Sequence, residues 1–306
     1  MAHSKFNIIP SQEIDSRKWN TCIINCEANR IYAKHVYLQH LADNWSGLVM
    51  NDYAAVMPIV WRKKWGIRYA YDAPFIQQLG LFGTYDSDDL KQAIDTTMGY
   101  IQYGDLYFNH TNPVPPVLPS AKAATNLIIP LHIGYEMIRQ GYNNHLKTKL
   151  RKASGQQLQY AISDNIKLAV NTYQQLYAHR FPSVTPVHYQ RLKAIAKQLF
   201  NSQQCFIRSV LDKENKLLAV ALFFKDENRI YNMLPSTTEQ GRKASAMHFL
   251  IDNVILEFAS KSLTLDFEGS NVPGIKSFYQ SFGAANEPYY HFHYNHLPKP
   301  FRWLKR

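Results

Sequence analysis

Residues 263–284, LTLDFEGSNVPGIKSFYQSFGA, carry the pattern on which the fold reading turns. The first seven alternate, with Leu263, Leu265 and Phe267 on one face and Thr264, Asp266 and Glu268 on the other, as a strand requires. A polar turn at Ser270–Asn271 follows, and then a short helix with Pro273 near its first position and Gly283 at its end. On that helix Lys276, Tyr279 and Gln280 are expected to share one side, while Ile275, Phe278 and Phe282 pack inward. Two carboxylates thus end a strand beside a helix N-terminus, a favourable place for polar chemistry.

Working back along the chain, residues 243–260 form the clearest helix, with an apolar stripe of Met247, Leu250, Ile251, Val254, Ile255 and Phe258. Before it, residues 205–211, 217–225 and 229–234 read as three strands. Helices are expected over residues 135–142, 144–154, 165–180 and 187–200, and a strand over 159–162. Strands and helices in this order make an α/β layered domain. The first third shows a hairpin over residues 47–60 turning at Asn51–Asp52, a strand near 67–71 and a helix over 88–103. The proline-rich stretch TNPVPPVLPS excludes helix interior and central strand. Residues 126–131 are extended, and a domain junction is placed just after them, near residue 134, dividing the chain into 1–134 and 135–306.

Composition narrows the partners without choosing one. The chain has 306 residues, 46% hydrophobic and 19% charged, which suits packed domains and not a disordered chain. Its net charge of +11 favours acidic partners such as nucleic acid, a cofactor phosphate, a nucleotide-linked substrate or an anionic membrane surface. Three cysteines, Cys22, Cys26 and Cys205, are too few and too odd for a disulfide scaffold, and Cys22 with Cys26 cannot alone hold zinc. With no signal-peptide core and no apolar stretch of membrane-spanning length, the chain reads as cytoplasmic. The run Arg62, Lys63, Lys64 between Trp61 and Trp65 suits a peripheral contact with a membrane surface or substrate, and equally a solvated hairpin tip.

The stretch LDFEGSNVPGIKSFYQSFGA resembles the C-terminal signature of the Fem-type (FemABX-like) branch of the GNAT-like acyltransferase superfamily. YNNHLKTKLRKASG at residues 142–155 is similar to that family's helix ending in an Arg-Lys-Ala run. AAVMPIVWRKKWGIRYAYDAPFIQQLG at residues 54–80 is similar to its N-terminal sheet region, so the likeness runs in order through most of the chain. The resemblance implies an α/β fold of tandem GNAT-like domains, each a mixed sheet flanked by helices, around a shared cleft. It implies an N-acyltransferase moving an acyl or aminoacyl group to a small-molecule or nucleotide-linked amine, with acyl-CoA or, alternatively, aminoacyl-tRNA as donor and no metal. The alternatives are a tRNA-dependent peptidyltransferase of cell-wall precursor synthesis and a non-catalytic binding protein of the same fold.

Acyl transfer to an amine needs a base, a polarised carbonyl and a proton source. Glu268 is the first candidate for the base, Asp266 for orienting the amine, and Tyr279 for protonating the leaving group. Either carboxylate also suits a turn cap or an ion pair with Lys276, and Tyr279 a half-buried ring. Where the family has closely spaced glycines for the donor's pyrophosphate, this chain has a degenerate loop. In it Gly241 and Ala244 offer close approach, Arg242 and Lys243 charge and Ser245 a hydroxyl, with Lys276 a further cation. Lys149, Arg151 and Lys152 suit phosphates or a solvated face, and His248 a helix surface. His291 and His293 share a strand face but have no evident third partner for a metal.

Overall fold

The computed structural model describes residues 5–269, 272–299 and 302. The chain forms two compact units, one of Met1–Ala124 with Pro288–Arg306 and the other of Thr125–Glu287. This division differs from the junction expected near residue 134 in two ways, and each has a strand as its cause. The extended segment before that point pairs into the second unit's sheet, and the last strand of the chain pairs into the first unit.

In the first unit, strands β1 (Phe6–Pro10), β2 (Asn44–Met50), β3 (Ala55–Lys64) and β4 (Ile67–Ala70) form an antiparallel sheet in that order. The short β5 (Phe82–Gly83) pairs with β3. The β2–β3 turn begins at the expected Asn51, which takes φ 49°. The helix Ser87–Tyr100 opens on a capping box between Asp86 and Asp89, and its Leu90 and Ile94 join Leu48, Met57 and Phe108 in the core. Strands β6 (Tyr103–Phe108) and β7 (Lys122–Ala124) complete this unit with the returning C-terminal strand between them.

The second unit holds a seven-stranded sheet. Its strands are β8 (Leu127–Pro130), β9 (Gln159–Ser163), β10 (Cys205–Leu211), β11 (Leu217–Lys225), β12 (Arg229–Thr237), β13 (Thr264–Asp266) and β14 (Ala285–Asn286). The order across the sheet is β14-β8-β13-β12-β11-β10-β9, parallel at β12–β13 and antiparallel elsewhere, so the sheet is mixed as expected. The final strand, β15 (Tyr289–Asn295), lies between β6 and β7 in the first unit and not in a C-terminal domain.

Alternation along β11 builds two cores. Ala219, Ala221 and Phe223 join the cluster under the helix Ala246–Phe258, with Leu250, Ile251 and Val254 of the predicted stripe. Val220, Leu222 and Phe224, equally buried, face the other side, where the helices Ile166–Tyr177 and Pro186–Asn201 pack on β10–β12. Asn143 and Asn165 cap the helices that follow them by accepting from the amides of Leu146 and Leu168.

Candidate active site

The site grows from a divergence of two neighbouring strands. β12 pairs with β13 through Arg229, Ile230 and Tyr231 alone, against Thr264, Leu265 and Asp266. β12 then continues to Thr237 while β13 ends, and its register with β11 shifts between Leu222 and Phe223, the mark of a bulge at Met233. Residues 232–237 therefore have a sheet neighbour on the β11 side and none in β13.

Beneath the divergence lies a buried ion-pair network. Arg229 donates through Nη1 to Asp266 Oδ2 (2.6 Å) and through Nη2 to Glu287 Oε1 (3.0 Å). Asn126 Nδ2 donates to the same Asp266 oxygen (3.1 Å), and the Glu268 amide to Asp266 Oδ1 (2.9 Å). Burial works against the Arg229 charge, but Asp266 and Glu287 outweigh it and raise the guanidinium above its ordinary range.

This corrects the reading of Asp266 as a cleft residue orienting the amine. β13 is an internal strand, so Leu265, Asp266 and Phe267 are all buried, and Asp266 has no exposed surface. Its carboxylate caps the turn that carries Glu268. Glu268 is half-buried just past the strand end, with a left-handed φ of 62°.

The short helix Pro273–Gln280 presents a different face from the one expected. Tyr279 is buried and stacked on Phe267, with centroids 4.2 Å apart, while Gln280 and Ile275 are exposed. Within the helix Tyr279 is the buried residue, while Phe282, just beyond it, is fully buried as expected. The Tyr279 hydroxyl accepts from Asn232 Nδ2 at 3.4 Å, at the divergence itself. Burial, reinforced by Tyr173 and Glu268, raises the phenol well above its ordinary pKa, so it keeps its proton at neutral pH. From the helix Ile166–Tyr177, the Tyr177 hydroxyl accepts from the Thr237 amide at 3.3 Å. Glu268 and Tyr279, chosen from the sequence, are thus brought together with Asn232, Tyr173 and Tyr177. Lys276 Nζ instead donates to Thr125 Oγ1 (3.4 Å). Ser270 and Asn271 of the predicted polar turn lie outside the described residues.

The loop after β12 also departs from expectation. Gly241 is needed for packing: a Cβ there would lie 2.0 Å from the Leu218 carbonyl oxygen, and its amide donates to Thr238 Oγ1 (3.0 Å). Ala244 is buried, and its amide bonds back to Gln240. Arg242 donates to the Thr237 carbonyl (3.0 Å) and Lys243 to Glu239 (2.9 Å), both at the surface. Ser245, expected to offer a hydroxyl to the donor, is buried. It precedes the first turn of the helix Ala246–Phe258 with φ 60°, and its buried hydroxyl has no hydrogen-bond partner among the described residues. One turn on, His248 packs on Phe278, and burial, then Lys149 and His145, lower its pKa to about 4. Its imidazole is neutral at pH 7.

Sequence reading missed Arg229, Asn126 and Glu287, whose partners in the network lie 37 to 140 residues away in sequence. Asn232 was the one with a visible signal, an amide in the middle of the apolar run IYNML. It also missed Asp105, whose Oδ1 accepts from His291 Nε2 (2.7 Å) and His293 Nδ1 (2.9 Å). Among the described residues no group of three or more His, Cys, Asp or Glu side chains is placed to hold a metal ion. No helix among them is long and apolar enough to cross a membrane.

No protein-family model and no curated protein sequence matches the chain. Solved structures do. FemX superposes with a TM-score of 0.69 at 11% identity, over 98% of this chain and 99% of that one. The C-terminal domain of a putative lysylphosphatidylglycerol synthetase from Agrobacterium fabrum gives 0.58 at 12% identity, over 92% of each chain. A tandem GNAT protein from the clavulanic acid biosynthesis pathway gives 0.52 at 8% identity, over 94% and 98%. The chain has a tandem GNAT-like fold. At such identities the likeness is one of fold, and the chemistry rests on this chain's own residues.

Proposed function

We propose that the chain is an N-acyltransferase that moves an acyl or aminoacyl group to an amine by direct attack in a ternary complex. The observation that carries this reading is the parting of β12 from β13 after Tyr231, with Glu268 and Tyr279 at the parting. The backbone of residues 232–236 has no strand of β13 beside it, and there an extended acyl donor adds in place of a strand, up to the Thr237 amide held by Tyr177. The amine nitrogen attacks the acyl carbon and its proton passes to Glu268, directly or through one water. The bond to the leaving group breaks as the tetrahedral centre collapses. Asp266 acts on Glu268 as a positioning residue, through the turn it caps.

Tyr279 bears on the donor. Burial keeps its phenol protonated, so it is the group that returns a proton to the leaving group of either donor, the alkoxide of an aminoacyl ester or the thiolate of acyl-CoA. For acyl-CoA, the groups that would meet its phosphates are the surface cations Arg242 and Lys243, since the Ser245 hydroxyl and the first turn of the helix Ala246–Phe258 are buried. Gly241 and Ala244 contribute packing there.

The test offers both donors to the purified protein with a panel of amines, following thiol release from acyl-CoA and loss of the aminoacyl ester from tRNA. Glu268→Gln is expected to lower turnover by roughly 10²–10⁴-fold with donor affinity retained. Tyr279→Phe should slow transfer from whichever donor is used while donor binding is retained. If a donor binds yet neither is consumed by the wild type, the chain is a non-catalytic binding protein of this fold.

A further inference from the structure

The β3–β4 hairpin in the first unit has a tip that breaks three local rules at once. Its strands pair Trp61↔Ala70, Arg62↔Tyr69, Lys63↔Arg68 and Lys64↔Ile67, leaving Trp65–Gly66 as a two-residue turn. Both turn residues have positive φ, 51° and 81°, a geometry suited to Asn-Gly and disfavoured by a bulky aromatic. Trp65 is also 77% exposed, and a Cβ built on Gly66 finds nothing within 4 Å. Finally, Lys63 and Arg68 stand directly opposite each other, a like-charge pair that weakens a hairpin.

The nearby charges are not balanced locally. Arg62 is held by Asp43 at 2.5 Å and lies over the Tyr71 ring. Among the described residues Lys63, Lys64 and Arg68 have no acidic partner. Lys64 lies over the Trp65 ring (4.8 Å), and Arg68 over Trp61 and Tyr100.

We infer that this tip docks the protein on an anionic lipid surface, with Trp65 entering the headgroup layer and Lys63, Lys64 and Arg68 facing lipid phosphates. An indole is at home at the boundary between headgroups and acyl chains, and cations a few ångströms behind it meet the negative surface. The shape selects lipid over nucleic acid. A single strand is held in a basic groove with open stacking platforms, whereas this is a protruding point with Lys64 already over the ring.

The experiment sediments the full-length protein with vesicles of phosphatidylcholine alone or mixed equally with phosphatidylglycerol, at low and high salt. Binding is expected to the mixed vesicles only and to fall with salt. Lys63→Ala/Lys64→Ala should weaken partitioning by about tenfold or more. Trp65→Asn separates function from folding, because asparagine suits the turn: thermal stability should hold or rise while vesicle binding falls. Failure of the wild type to bind mixed vesicles, or equal binding by Trp65→Asn, overturns the inference. So does Trp65-dependent binding of tRNA with no binding of vesicles, which would assign the tip to nucleic acid.

Discussion

Glu268 and Trp65 each follow the end of a strand and each adopt a left-handed backbone, with φ of 62° and 51°. A residue with a Cβ gives up about 1–2 kcal/mol in that region relative to the right-handed one. At Glu268 the surroundings compel it. The Asp266 carboxylate binds the Glu268 amide and is itself locked by Arg229 and Asn126, all buried. At Trp65 only the two-residue turn imposes it, and the side chain lies 77% exposed. Strain enforced from beneath serves to aim a side chain within a site. Strain left in the open draws attention to what the side chain meets outside the chain.

The sharpest way to break the comparison is to remove the lock. Arg229→Met leaves the buried Asp266 and the partly buried Glu287 without their cation and is expected to cost about 3–5 kcal/mol, read from denaturant midpoints. A loss below 1 kcal/mol would mean that the network does not hold the strand end.

A second test uses pH. His248 has a folded pKa near 4 because of burial and then of Lys149 and His145, against about 6.5 unfolded. The unfolded chain therefore takes up the proton first as pH falls. Its contribution is full above pH 6.5 and shrinks towards pH 4, by about 3 kcal/mol at most. His248→Gln should flatten the stability profile in that window. An unchanged slope would place the titration elsewhere.

The smallest effect is the most specific. In Glu268→Gly, relief of the left-handed strain offsets lost side-chain contacts, so stability should stay within about 1 kcal/mol of wild type while acyl transfer disappears. Retained transfer would reduce Glu268 to a turn residue.

Much of the scaffold was legible because it depends on local periodicity. The strands at β10 and β11 and the stripe of the helix Ala246–Phe258 are encoded within a few residues of themselves. Glu268 and Tyr279 were legible as chemical types at a strand end and on a helix. Alternation failed at Asp266 because it describes a sheet with one wet face, and β13 is covered on both. The Gly241 loop misled in a related way, since glycine answers equally to a phosphate and to a strand carbonyl, here that of Leu218.

By itself the sequence determined the order and type of elements, the basic balance and the residues able to transfer protons. Those follow from side-chain chemistry and from spacings of two and 3.6 residues. The tertiary structure alone decided that residues 125–130 belong to the second unit and the last strand to the first. It likewise decided that Asp266 anchors while Glu268 is left at the surface of the turn. Pairing between distant strands selects buried from accessible positions, and no local pattern contains the partner.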